Sequence, residues 1–253
     1  MLRAEHLHLS VPGKTLCRDL SLAIEPGQCW AVLGRNGSGK TTLLHALAGL
    51  ARPAGGTVFF RDTPLERFPG RALARSIGVL LQDEAQTFWG TVLEYVLLGR
   101  FPHAGSFAAR AEDREAARQA LVLTGMAELS ERPLATLSGG ERQRVRIATL
   151  LAQAPQIYFL DEPLQHLDLP HQLAAMKLFR QLAQTGHGVV MVLHEPLWAS
   201  RFCDRALLLY DDGRAAGGAA SALLTKNNLE DLYQCRLEEL TTAHGNCYVP
   251  DLS

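Results

Sequence analysis

An apolar run, Cys29-Trp30-Ala31-Val32-Leu33, gives way to Gly34-Arg35-Asn36-Gly37-Ser38-Gly39-Lys40-Thr41, and helix-compatible residues follow at once. No other feature limits the possible folds so strongly. Successive backbone N–H groups can converge on one centre only where side chains are missing, and a helix starting there turns its positive end to the same centre. Gly34, Gly37 and Gly39 supply the freedom and Lys40 the charge. A buried strand, an anion-cradling turn and a helix in immediate succession call for an α/β layered core. By role, Lys40 reaches the β and γ phosphates of a nucleotide and the Thr41 hydroxyl ligates Mg²⁺. The alternative, an ordinary glycine turn, is disfavoured by the strand before it and the helix after it.

The rest of the chain fits that core. Residues 2–33 read as strands: Leu7 and Leu9 alternate with polar neighbours, residues 20–24 continue the theme, and Pro26-Gly27 turns the chain before 29–33. The helix over 40–48 should stop at Gly49, a suitable left-handed cap. Short β segments are expected at 57–60 and 77–81, leading to Gln82. From about residue 83 to 153 the spacing turns helical, with Ala116, Ala120, Leu121 and Leu123 on overlapping turns of an expected helix over 112–129. Apolar strands at 157–160, 189–193 and 206–209, separated by helix-compatible stretches, predict a mainly parallel sheet. Residues 213–253 read as a hairpin, a short helix near 221–233 and a closing β segment. The expectation is one domain over 1–253. Its core, with an N-terminal antiparallel β subdomain, takes in about 1–82 and 154–253, and an α-helical subdomain is inserted at about 83–153.

Composition narrows the functional classes. The chain has 253 residues, 47% of them apolar, and a formal net charge of −1, so it lacks the strongly basic footprint that nucleic-acid binding needs. Cys17, Cys29, Cys203, Cys235 and Cys247 are odd in number and scattered, which favours reduced thiols over a zinc site or a disulfide framework. The first ten residues lack a secretory pattern, and no apolar stretch approaches the roughly 18 residues of a membrane span. Membrane association is therefore expected to come through partners.

Two further constellations carry chemistry. Asp161-Glu162 ends the apolar run Ile157-Tyr158-Phe159-Leu160, which places both carboxylates at the sheet edge where open α/β proteins bind ligands. Neighbours on a strand point opposite ways, so Asp161 can hold Mg²⁺ through its water shell while Glu162 polarises the attacking water. Farther upstream, Leu137-Ser138-Gly139-Gly140-Glu141-Arg142-Gln143-Arg144 opens a helical run. Ser138 and Glu141 satisfy a capping box, and Gly139-Gly140 offer a second set of free N–H donors with a favourable dipole.

Together the glycine loop and the 137–144 stretch resemble the ATP-binding subunit of an ABC transporter. The resemblance covers nearly the whole chain and implies a P-loop NTPase core that binds and hydrolyses ATP with Mg²⁺. It also implies a homodimer in which Ser138, Gly139 and Gly140 of one copy close on the γ-phosphate held by the loop of the other, residues 34–41 together with Thr42. Gln82 stands where the family carries the glutamine that senses Mg²⁺ and the attacking water. His194 matches the switch histidine at the γ-phosphate, and Leu167-Asp168 match the D-loop, whose aspartate reaches across the dimer. Three departures stand out. The place where the family stacks adenine on an aromatic ring falls at or near Val11, Leu164-Gln165 replace small polar residues before the D-loop, and Glu195-Pro196 follow His194 in place of an aspartate and an aliphatic residue.

In the family the segment after Gln82 faces the membrane subunits, and here it holds Trp89-Gly90-Thr91-Val92 and Leu98-Gly99-Arg100-Phe101-Pro102-His103. The latter run looks like the importers of iron-siderophores, haem and cobalamin. That likeness implies two integral membrane permease subunits, a periplasmic or extracellular substrate-binding protein and a peripheral position on the cytoplasmic face of the inner membrane. An exporter ATPase would share every catalytic motif. A soluble relative such as an iron–sulfur assembly ATPase is the other alternative. DNA-repair relatives need a long coiled-coil insertion for which these residues leave no room.

Overall fold

The structure, a computed structural model, describes residues 1–82, 88–103, 110–242 and 245–251. The expected helical start at residue 83, and residues 83–87 and 104–107 of the segment read as facing membrane subunits, lie outside the described residues. Two compact units are present, one made of Met1–Arg67 with Arg180–Ser253 and the other of Phe68–Phe179.

The chain opens with β1 (Leu2–Val11) and β2 (Lys14–Ile24), followed by β3 (Cys29–Gly34), α1 (Lys40–Leu47), β4 (Gly55–Phe60) and β5 (Thr63–Pro64). Next come α2 (Gly70–Ser76), β6 (Ile77–Leu80), α3 (Val92–Leu97), α4 (Ala111–Leu123), α5 (Gly139–Gln153), β7 (Ile157–Asp161) and α6 (Leu169–Gln184). The last part holds β8 (Gly188–Val192), α7 (Pro196–Phe202), β9 (Arg205–Leu209), β10 (Ala215–Ala219), α8 (Ala220–Leu223), α9 (Lys226–Tyr233), β11 (Leu237–Thr242) and β12 (Gly245–Pro250).

In the first unit an antiparallel sheet runs in the order β2-β1-β4-β5. Along β1 the buried residues are Leu2, Ala4, Leu7 and Leu9, so the alternation skips a residue. The skip is a β-bulge: the β1–β2 register shifts between Ala4 and Leu7, and His6 takes a left-handed φ of 51°. The extra residue turns Leu7 back onto the buried face. The same unit holds β3, buried at every position, with β8 and β9 parallel on either side and β10 antiparallel beyond β9. Continuous burial of β3 and β8 explains their unbroken apolar sequence.

In the second unit β6 and β7 pair in parallel, and α3, α4 and α5 pack around Val92, Val96, Ala117, Leu121, Val145 and Ala148. The helix expected over 112–129 ends at Leu123 instead. The Thr124 hydroxyl turns back onto the carbonyls of Ala120 and Leu121, and Gly125 follows. The helix expected near 221–233 is likewise two helices, α8 and α9, because Thr225 breaks the run and caps α9 by accepting the Asn228 N–H at 3.4 Å. Among the described residues no helix is long and apolar enough to cross a membrane.

The Gly-Arg-Phe-Pro-His run divides into inward and outward parts. A Cβ on Gly99 would collide with the Thr149 carbonyl of α5, so only glycine allows this approach. Arg100 donates to Asp113 at 2.9 Å and to the Ala152 carbonyl at 2.8 Å, and a His103 ring nitrogen lies 2.8 Å from the Gln153 carbonyl. Phe101 stays 69% exposed, and Trp89 is 94% exposed. Three of the five residues therefore lock this segment to α5.

The Arg100 guanidinium beside Asp113 holds that buried carboxyl below the usual carboxylate range. A depressed folded pKa means that the pair stabilises above the ordinary carboxylate pKa and fades as pH falls through the folded value. We expect Arg100→Ala to destabilise the protein by about 3 kcal/mol at pH 7. Urea unfolding repeated near pH 3 should show a clearly smaller gap between the variant and the parent; an equal gap at both pH values would count against this pair.

Candidate functional site

The glycine loop lies in the first unit. Residues 35–39 link the end of β3 to α1, and Lys40, Thr41 and Thr42 form the first helical turn. Lys40 is buried, and its Nζ donates to the carbonyls of Gly34 and Arg35 at 2.9 Å each. No side chain caps α1 and its first turn carries no acidic residue, so its amino-terminal N–H groups and positive dipole end are not quenched by a carboxylate of its own first turn. Gly39 adopts a φ of 100°, and a Cβ there would stand 2.9 Å from Leu16 Cβ on β2. Backbone strain and crowding both exclude any other residue. Ser38 Oγ is buried without a hydrogen-bond partner among the described residues, a costly condition that an anion's oxygen would relieve. These features fit a phosphate group.

His194 follows β8 in the same unit and is exposed, and its carbonyl accepts the Tyr233 hydroxyl at 3.2 Å. The unusual Glu195-Pro196 pair is accommodated because Pro196 opens α7, where its missing N–H costs no helical bond. Val11 is 40% exposed at the end of β1.

The second unit carries the carboxylates. Asp161 ends β7 and is 1% exposed. Glu162 does not separate from it by strand alternation as the sequence suggested. It lies beyond the strand in a left-handed conformation with φ 49°, a turn that sets its direction independently of the β7 pleat. Gln82, just past β6, donates from Nε2 to Glu162 Oε2 at 3.2 Å, so two residues 80 positions apart in sequence meet at the end of this parallel strand pair. A carboxylate that accepts such a bond is held as an oriented acceptor.

The 137–144 stretch forms the capping box that its sequence predicts. Ser138 Oγ accepts the Glu141 N–H at 3.3 Å, and Glu141 Oε2 accepts the Ser138 N–H and hydroxyl at 2.8 Å. These bonds lower the Glu141 pKa. Gly139 and Gly140 open α5 beside His166, and a Cβ on Gly140 would sit 3.0 Å from the His166 carbonyl. Asp168 precedes α6, and its carboxylate accepts the His171 N–H at 3.1 Å and also bonds the His171 ring. The His171 bonds pull the Asp168 pKa down. Within this chain Asp168 therefore caps a helix.

Sequence reasoning passed over two residues of α5. Gln143 is buried and donates to the Pro163 carbonyl at 3.0 Å, next to Glu162. Arg146 donates to Gln143 Oε1 at 2.9 Å and to the backbone carbonyls of Leu81 and Gln82. Together they tie α5 to the backbone flanking both Gln82 and Glu162. A signal existed: Gln143 stands in step with the buried Ile147 and Leu150, a polar residue in an apolar stripe. Thr41 in the first unit, and Gln82 and Asp161 in the second, each carry a hard oxygen donor of the kind that Mg²⁺ prefers.

Comparison with known proteins identifies the family. Residues 17–165 match the ABC transporter family. The chain is 41% identical over 257 aligned residues to a hemin import ATP-binding protein of Burkholderia thailandensis, covering 94% of each. It is 34% identical to an iron(3+)-hydroxamate import ATP-binding protein of Bacillus subtilis, covering 99% of this chain and 95% of that one. Among solved structures, an inward-facing ABC transporter described as of metal-chelate type is similar with a TM-score of 0.86 and 30% identity, over 100% of this chain and 98% of that one. The chain belongs to the ABC transporter family, as one of its ATP-hydrolysing cassettes.

Proposed function

We propose that this cassette works as a homodimer that binds two Mg-ATP and drives import of haem or a ferric siderophore through two integral membrane permease subunits. It receives its cargo from a periplasmic or extracellular substrate-binding protein and lies peripherally on the cytoplasmic face of the inner membrane. The observation that carries the reading is the pair of helix starts: α1, uncapped and free of acid in its first turn, and α5, opened by Ser138, Gly139 and Gly140. Each offers N–H donors to an anion. The haem and ferric-hydroxamate import named for the relatives supports the cargo class, cobalamin being the less supported member, and favours import over the exporter and iron–sulfur assembly alternatives.

In this reading residues 34–42 cradle the triphosphate, and Lys40 counters its charge. Thr41, Asp161 and Gln82 would hold Mg²⁺, which supplies charge neutralisation on the phosphate oxygens. Glu162 accepts the proton of the attacking water, oriented by Gln82 Nε2, and His194 contacts the γ-phosphate. Ser138, Gly139 and Gly140 of one copy, with Asp168, close on the nucleotide of the other. ATP is then preferred over ADP because its γ-phosphate meets the α5 amino end. The helical subdomain at about 83–153 presents Trp89 and Phe101 to the permease, a role that their exposure supports.

Glu162→Gln should lower ATP turnover by roughly 10²- to 10⁴-fold while ATP binding persists, measured by phosphate release and filter binding. Unchanged turnover would reduce the protein to a nucleotide-binding module. Ser138→Arg should abolish hydrolysis yet leave binding to the isolated subunit largely intact. Loss of binding in that variant would argue against a contact made across a dimer. Co-purification with a haem- or siderophore-binding protein tests the cargo class.

A further inference from the structure

A ring of polar contacts ties the glycine loop to Lys14 and Asp211, two residues outside every motif. Lys14, at the start of β2, sends its Nζ 2.9 Å to the Gly37 carbonyl and lies 3.5 Å from Asp211 Oδ1. Arg35 donates from Nη1 to the other Asp211 oxygen at 3.0 Å. Inside the ring the Ser38 N–H donates to the Arg35 carbonyl at 3.2 Å, and that carbonyl also accepts Lys40 Nζ at 2.9 Å. Asp211 is therefore joined to Lys40 by two routes, one through the Arg35 side chain and one through Lys14 and the peptide between Gly37 and Ser38.

Topology explains how the ring forms. β9 lies parallel to β3 with Leu209 opposite Gly34, so the chain leaving β9 at Asp211 runs beside the loop leaving β3 at Arg35. On the other side Leu16 of β2 stands against Gly39, which brings Lys14 of the same strand within reach of Gly37.

We propose that Lys14 and Asp211 are positioning residues for the nucleotide, setting the loop's peptide directions before the triphosphate arrives. The proposal rests on the reading that this loop holds ATP. A peptide's C=O and N–H point opposite ways, so an ammonium fixed on the Gly37 carbonyl also fixes the Ser38 N–H. Asp211 anchors that ammonium and occupies the Arg35 guanidinium, which removes two long side chains from the freedom the loop would otherwise lose on binding. Preorganisation of this kind raises affinity without adding a contact to the ligand. A competing role has the opposite sign: Asp211 could act as a resident anion that rivals the phosphates for Arg35 and Lys14, and its removal would then tighten binding.

Steady-state hydrolysis and nucleotide binding of the unaltered protein come first, since their absence would defeat the ATP reading itself and not the brace. With that activity present, Asp211→Asn and Lys14→Met should each raise KM for ATP about three- to fivefold, the scale of a partly exposed ion pair, with kcat falling less than KM rises. Lys14→Arg should restore KM. The double variant should be little worse than either single one, because both act through one ring. An unchanged or lowered KM in Asp211→Asn overturns the proposal, as does a fall in Tm in both variants with KM unmoved.

Discussion

A buried ammonium governs the first unit. Lys40 is buried, and the carbonyls of Gly34 and Arg35, both in the loop that it follows, accept from its Nζ. Holding those carbonyls on Lys40 fixes the loop's backbone, while α1 contributes a positive dipole end and no acid in its first turn. Positive potential accumulates with no neutralising group of the helix itself. A polyanion is the natural complement to such a place.

The second unit is arranged differently. Its chemistry-bearing side chains are carboxylates and an amide, and the problem is to aim them. β7 delivers Asp161 buried at its end, and a left-handed turn at Glu162 re-aims the next carboxylate. Gln143 and Arg146 of α5 then hold the backbone at Pro163, Leu81 and Gln82. Because the same helix begins at Ser138, the capping box and the contacts that hold the backbone around Gln82 and Glu162 lie on one element.

The departures from the family pattern have unequal consequences. Pro196 opens a helix where proline is tolerated, so Glu195-Pro196 leave the position after β8 intact. Val11 at the end of β1 offers an aliphatic side chain at or near the place where the family resemblance puts an aromatic ring. Beside the glycine loop, Lys14, Arg35 and Asp211 converge.

Much of this was legible in the sequence, because local rules govern local motifs. The strand-loop-helix at 29–47 and the capping box at Ser138 depend on backbone freedom and on bonds within a few residues, so residue order suffices to specify them. Helix ends at Leu123 and Leu223 were missed because a single threonine hydroxyl outweighed the apolar period there. Tertiary structure alone decided which distant residues meet: Gln82 with Glu162, Arg100 with Asp113, and Lys14 and Arg35 with Asp211. Such pairings arise from strand register and helix packing, which bring together positions 13 to 197 residues apart that local sequence cannot relate.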